Sequence, residues 1–311
     1  MTATAAPRPG GPTMLTDSGL ETDLIFRRGW DLPGFASFPL LTTEDGRTTL
    51  DDYYREHVAV AVRHGVGFVF ETPTWRASSD WGELLGYPPG QLDDINRDAV
   101  GLVVGVRDTT PGLAQATVNG ALGPRGDGYT PTAVMTADEA RTYHARQVQV
   151  FADAGCDAIS VLTLSYAAEG LGIALAARDA GLPVVVSFTV ETDGTLPDGS
   201  HLGEVIESID AASDGYVTHF GLNCAHPEHM APALAGRDAW TSRIGLVRAN
   251  ASRLSHAELD EADSLHDGDP VELAADYVAL RSALPGLRVV GGCCGTDVRH
   301  VQAIADAVAP V

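Results

Sequence analysis

Residues 137–163 read ADEARTYHARQVQVFADAGCDAISVLT. The spacing of their apolar side chains predicts a helix over Ala137–Ala154, and the β-rich run that follows predicts a strand over Ala158–Thr163. Outward from this unit the same alternation recurs. Short β-rich apolar runs stand at Met14–Leu20, Gly67–Thr72, Leu113–Gly120, Pro183–Val190, Thr218–Asn223, Ile244–Ala249 and Leu287–Gly292. Stretches of helical period lie between them, among them Asp51–Arg63, Glu169–Asp179, Leu202–Ala212 and Pro270–Ala283. Eight strands joined by helices predict an α/β chain closed as a (β/α)8 barrel, because parallel strands need right-handed helical crossovers. An open doubly wound sheet is the second choice, and no G-x-G-x-x-G follows the first strand.

The length of 311 residues suits one such barrel of about 250 residues with decoration. Residues 14–311 are therefore expected to form a single barrel domain. Residues 1–13, MTATAAPRPGGPT, are small and rich in Pro and Gly, and read as a loose tail rather than a signal peptide. No run approaches the roughly 20 apolar residues of a membrane helix. A soluble, cytoplasmic protein is the expectation.

The formal charge is −22, and the chain contains no lysine. An acidic surface repels phosphate backbones and anionic lipid, so neither a nucleic acid nor a membrane is an expected partner. Without lysine there is no Schiff-base chemistry and no phosphate-binding Walker lysine. Four cysteines make no disulfide framework in a chain of this length. The acidic segment Ala251–Asp269 reads as a lid, as a contact in a homo-oligomer, or as a solvated loop.

Chemistry-bearing residues gather at the carboxyl ends of the expected strands. Asp17 and Glu21 follow the first; Glu71, Thr72 and Arg76 the second; Asn119 the third; Asn223 and Cys224 the sixth; Asn250 the seventh; Cys293 and Cys294 the eighth. In a barrel that is one face, the face on which active sites form. Cys224, Cys293 and Cys294 thus converge from two strands with one between them. Zinc favours thiolate ligands in a tetrahedron, and catalytic sites use three protein ligands and leave one position open. Neighbouring Cys293 and Cys294 are too close for a relaxed disulfide, whereas Gly291, Gly292 and Gly295 would let both approach one metal. Zn2+ with three thiolates carries a net charge of about −1, which disfavours hydroxide generation and hydrolysis. A thiol at the open position would be deprotonated yet stay nucleophilic, suited to attack on an activated methyl group. The alternatives are buried structural cysteines, the reading preferred for Cys156, and a redox role for the vicinal pair. His226 and His300 read as structural or solvent-facing rather than as ligands.

At these residues the sequence resembles the homocysteine S-methyltransferase family. The resemblance rests on DSGLET (Asp17–Thr22), TPTWRAS (Thr72–Ser78), GALGP (Gly120–Pro124), GLNC (Gly221–Cys224) and GGCCGT (Gly291–Thr296). It implies a (β/α)8 barrel, zinc on Cys224, Cys293 and Cys294, and Asp17 at the amino end of a thiol amino acid. It also implies transfer of a methyl group from a small sulfonium or quaternary ammonium donor to homocysteine, a step of methionine biosynthesis. Glu21, Glu71, Thr72, Arg76, Asn223 and Asn250 are the further candidates for binding substrate, and Trp75 and Trp30 for cation–π contact with the donor. The chain departs from the family pattern at Ser18, at Pro73, over Asn250–Ser252, and at Leu162, where the family has a glutamate that also holds the homocysteine amino group. From Leu162 one expects either homocysteine held in an altered way, with Glu71 replacing the lost charge, or a thiol without a free amine.

Overall fold

The computed structural model describes residues 11–131, 134–236, 238–262 and 264–309, so most of the tail expected over residues 1–13 lies outside the described residues. Eight parallel strands close in chain order into a barrel: β1 (Met14–Leu15), β2 (Gly67–Glu71), β3 (Ala116–Leu122), β4 (Ala158–Leu164), β5 (Val184–Phe188), β6 (His219–Asn223), β7 (Ile244–Ala249) and β8 (Val289–Gly292). Met14 pairs with both Gly67 and Val289, which closes the ring and excludes the open sheet. The helices are α1 (Leu20–Phe26), α2 (Glu44–His64), α3 (Ser79–Leu84), α4 (Pro89–Asp108), α5 (Ala137–Ala154), α6 (Ala167–Ala180), α7 (Leu202–Ser213), α8 (Pro227–Ala233), α9 (His256–Asp260), α10 (Pro270–Ala283) and α11 (Val298–Val308).

Local chemistry sets these bounds. A capping box of Thr136 and Glu139 starts α5, and Gly155, at φ 83°, ends it and turns the chain into β4. Helix α2 begins earlier than expected because the Thr43 side chain accepts from Gly46 N and caps it there. Strand β1 stops at Leu15, well short of the expected Leu20, and α1 begins at Leu20 itself. Helix α4 has no counterpart among the expected helices; Gly90, Gly101 and Gly105 weaken its pattern, but Leu92, Ile95, Ala99 and Val103 bury against the core.

The main apolar core lies between barrel and helices. A smaller layer of Met14, Val69, Leu162, Val185, Leu246 and Val289 fills the barrel, with Trp75 packed against it. Each such buried side chain contributes about 1.5–3 kcal/mol. A filled barrel admits no ligand through its axis, which leaves the rim at the carboxyl ends of the strands for chemistry.

Candidate metal and substrate site

Register brings the cysteines together. Asn223 of β6 pairs with Arg248 of β7, and Arg248 pairs with Gly291 of β8. Cys224 and Cys293 therefore flank the end of β7, with Cys224 N donating to Arg248 O at 3.1 Å and Cys293 N to Ala249 O at 2.8 Å. The glycines before Cys293 serve close approach. A Cβ at Gly291 would overlap the Thr16 hydroxyl and one at Gly292 the Thr296 hydroxyl, while Gly295 supplies the turn, at φ 80°.

The sulfurs of Cys224, Cys293 and Cys294 all lie within 4.8 Å of one another, a cluster that could hold a metal ion. Cys224 and Cys293 are joined as a disulfide, with Cα atoms 5.4 Å apart, and Cys294 Sγ lies 3.9 Å from Cys224 Sγ. That separation is near the edge of about 3.8 Å of a thiolate tetrahedron built on Zn–S bonds of about 2.3 Å. If a redox pair exists here it is Cys224–Cys293, not the vicinal pair. Burial pushes the Cys294 thiol up to about 11, so a cation is what would hold it as a thiolate at neutral pH. Cys156 is apart, buried just after α5, with its thiol pushed up to about 12 by burial, as a structural cysteine should be.

A cavity opens on the sulfurs at the carboxyl ends of the strands. Of the residues expected there, Asp17, Glu21, Glu71, Thr72 and Asn223 line it. Asp17 is clamped: Arg248 Nη2 lies 2.8 Å from its Oδ1, and Tyr53 donates to its Oδ2 at 3.2 Å. Arg248 Nη1 pairs with Glu71 Oε2. Glu21 Oε1 accepts from Ser37 at 2.8 Å, and burial raises its carboxyl above the ordinary range. The Thr72 hydroxyl accepts from Ala121 N at 2.9 Å. Asn223 Oδ1 accepts from Thr163 N and Ser187 Oγ, and its Nδ2 donates to Thr163 Oγ1 at 2.7 Å. It thereby holds Thr163 at φ 63°, an uncommon conformation for a β-branched residue.

Two of the residues expected to bind substrate stand outside the cavity. The Arg76 guanidinium lies over the rings of Trp75 and Trp81, at 4.3 and 3.9 Å, and donates to Gly126 O at 2.7 Å, which fixes the loop after β3. Asn250 is buried behind the site and donates to Cys224 O at 2.9 Å. Trp75 does line the cavity; Trp30 packs against the core instead. Asn119 donates to Ser160 Oγ within the barrel. His226 caps α8 and His300 packs in α11 between Asp297 and Asp267 O, both structural as expected.

Three residues were not foreseen. Arg248 sits in an apolar strand. Tyr129 reaches the cavity from the loop after β3, its hydroxyl 3.9 Å from Cys294 Sγ. His256, from the acidic 251–269 segment, stacks on the Tyr129 ring at 4.0 Å and reaches the Cys224 carbonyl. That segment is thus part of the wall that supports the cysteines.

Fold and site together define a (β/α)8 barrel with a cluster of three cysteines at the rim formed by the carboxyl ends of its strands. The sequence model of the homocysteine S-methyltransferase family matches residues 14–308, and the chain belongs to that family. A methionine synthase of Mycobacterium leprae is 34% identical over 164 residues, covering 50% of this chain and 13% of that protein. Homocysteine S-methyltransferase 4 of Zea mays is 28% identical over 65% of this chain and 60% of its own length, and a betaine–homocysteine S-methyltransferase of Drosophila melanogaster is 25% identical over 61% and 62%. The chain thus matches less than two thirds of the length of these relatives. The solved homocysteine methyltransferase MmuM of Escherichia coli shares the fold, with a TM-score of 0.74 in its metallated form and 0.77 in its oxidised form, at 22% identity and 96% coverage of both chains. Among the described residues no helix is long and apolar enough to cross a membrane.

Proposed function

We propose that the protein is an S-methyltransferase that carries one zinc ion on Cys224, Cys293 and Cys294. It would move a methyl group from a small sulfonium or quaternary ammonium donor to the sulfur of homocysteine or a close relative, giving methionine in the first case. The observation that supports this best is the meeting of three cysteine sulfurs on one cavity, in a chain of this family. A bound zinc ion would supply an open position at which the acceptor sulfur is held as a thiolate at neutral pH.

The chain's own residues do the rest. Asp17 and Glu71, with Arg248 between them, leave the cavity a negative potential that favours an acceptor ammonium and an onium donor alike, and Glu21 lines the wall. Trp75 and Tyr129 offer ring faces to the donor cation, and Leu162 excludes water beside them. Thr72 and Asn223 fix the wall, and Arg76 and Asn250 act from behind it. In the transfer the acceptor sulfur forms a bond to the methyl carbon as the carbon–onium bond breaks. The bonding electrons leave with the donor's sulfur or nitrogen, which becomes neutral, and the thiol proton goes to solvent. A single barrel domain over residues 14–311 and a cytoplasmic location belong to the same proposal.

The Cys224–Cys293 bond favours one second reading, a thiol redox protein. Metal analysis with a methyl-donor panel read by mass spectrometry separates the two. About one zinc per chain is expected, lost together with turnover in Cys224→Ala, Cys293→Ala and Cys294→Ala but not in Cys156→Ala. Full zinc and turnover in all three variants would refute the assignment, and activity that survives a chelator would favour redox chemistry.

A further inference from the structure

We propose that Glu71, held in place by Arg248, binds the acceptor's ammonium group, the role that the family resemblance gives to Asp17 together with the glutamate that Leu162 replaces. This deepens the function proposed above and rests on it. The cavity carries three carboxylates, and they are not equivalent. Asp17 Oδ2 accepts from the Tyr53 hydroxyl, and its Oδ1 is ion-paired with Arg248. Glu21 already accepts from Ser37, and its burial favours the neutral acid. Glu71 is different. It is 3% exposed, its Oε2 is ion-paired with Arg248, and neither of its oxygens has a hydrogen-bond partner among the described residues. A buried carboxylate oxygen without a donor is costly, and a ligand that brings an N–H recovers that cost.

Arg248 makes Glu71 a fixed anchor. Its Nε donates to Gly292 O at 2.9 Å and its Nη2 to Ser18 O at 2.8 Å, so the guanidinium is clamped between β8 and the turn after β1 while Nη1 holds Glu71. Two carboxylates and one guanidinium leave one negative charge, which an ammonium would cancel. No other lysine or arginine lines the cavity among the described residues. Leu162, packed in the barrel interior with Trp75, offers no polar atom to the task. The anchor that the family places at the end of β4 is thus moved to the end of β2.

The test compares L-homocysteine with 4-mercaptobutanoate, the same chain without the amine, on the metal-loaded protein. Affinity is read from the thiolate absorption of the Co2+-substituted form, and KM from methyl transfer. Wild type should bind L-homocysteine about tenfold or more tightly than 4-mercaptobutanoate, the size of one charged hydrogen bond. Glu71→Gln should erase that difference with 4-mercaptobutanoate little changed, and Glu21→Gln should preserve it. Should Glu71→Gln not fold, Glu71→Asp, which keeps the charge but withdraws it by one methylene, should still narrow the gap. Equal affinity for the two thiols in wild type, or a gap erased by Glu21→Gln and not by Glu71→Gln, overturns the proposal alone. A protein that binds neither thiol overturns it together with the function on which it rests.

Discussion

His256 Nε2 donates to the carbonyl oxygen of Cys224 at 2.8 Å, across 32 residues of chain. Asn250 Nδ2 donates to the same oxygen at 2.9 Å and the Thr189 hydroxyl at 3.2 Å. Three donors on one carbonyl hold a residue whose φ is 54°, a left-handed conformation that costs a residue with a side chain about 1–2 kcal/mol. The sulfur leaves β6 at this turn.

The support should show in metal affinity rather than in stability. His256→Ala and Asn250→Ala are each expected to weaken zinc binding about 10- to 100-fold, the usual effect of losing a group that orients a metal ligand. Competition with a chromophoric chelator measures this. Wild-type affinity in both variants would mean that the turn at Cys224 holds itself.

The barrel was readable because its strands are short and apolar and its helices keep their period; β7, α5 and α10 fall on the expected residues. Helix α4 was hidden by its glycines. The meeting of the cysteines was readable because three of them stand at the ends of β6 and β8, which strand order sets on either side of β7. Arg248 was not, since IGLVRA looks like any buried strand until register sets it beside Asn223 and Gly291 and opposite two carboxylates. His256 was obscured by an acidic segment whose composition describes its solvent face and not the one side chain that turns inward.

A pH prediction follows from His57. Its Nδ1 donates to Tyr53 O at 2.8 Å, its Nε2 accepts from the Ser18 hydroxyl at 2.8 Å, and burial lowers its pKa from the ordinary value near 6.5. The unfolded chain therefore takes up this proton at higher pH than the folded one. The stability contribution is fully present above about 6.5 and declines as pH falls below it, by at most about 1.4 kcal/mol per pH unit. Denaturant midpoints taken from pH 7.5 to 5 should fall in wild type and fall less steeply in His57→Gln. Parallel slopes would assign the decline to other groups.

Metal and disulfide compete for the same sulfurs. Mild peroxide on the zinc-free protein should oxidise Cys224 and Cys293 to a disulfide, two electrons passing to peroxide to give water, with Cys294 and Cys156 still open to alkylation after unfolding. Peptide mapping identifies the pair. Zinc should slow the reaction, and prolonged treatment should release metal and activity together. A Cys293–Cys294 product, or activity lost with the metal still bound, would count against this pairing.

The ion triad of Asp17, Arg248 and Glu71 supports the last prediction. Arg248 is 5% exposed and all three groups are buried, so Arg248→Met would leave two carboxylates close together without their cation. Breaking a buried pair in this way costs about 3–5 kcal/mol, because the remaining charges must stay desolvated or take up protons. Arg248→Met should accordingly lower the unfolding free energy by that amount at pH 7.5. The loss should shrink at pH 5, where one carboxylate can protonate at less cost. Adding Glu71→Gln to Arg248→Met removes one of the stranded charges and should restore about half of the lost stability, a non-additive result in the double-mutant cycle. Strict additivity would show that the two side chains do not depend on each other. Arg248 would then be a brace between β8 and the turn after β1, and not the partner that sets Glu71.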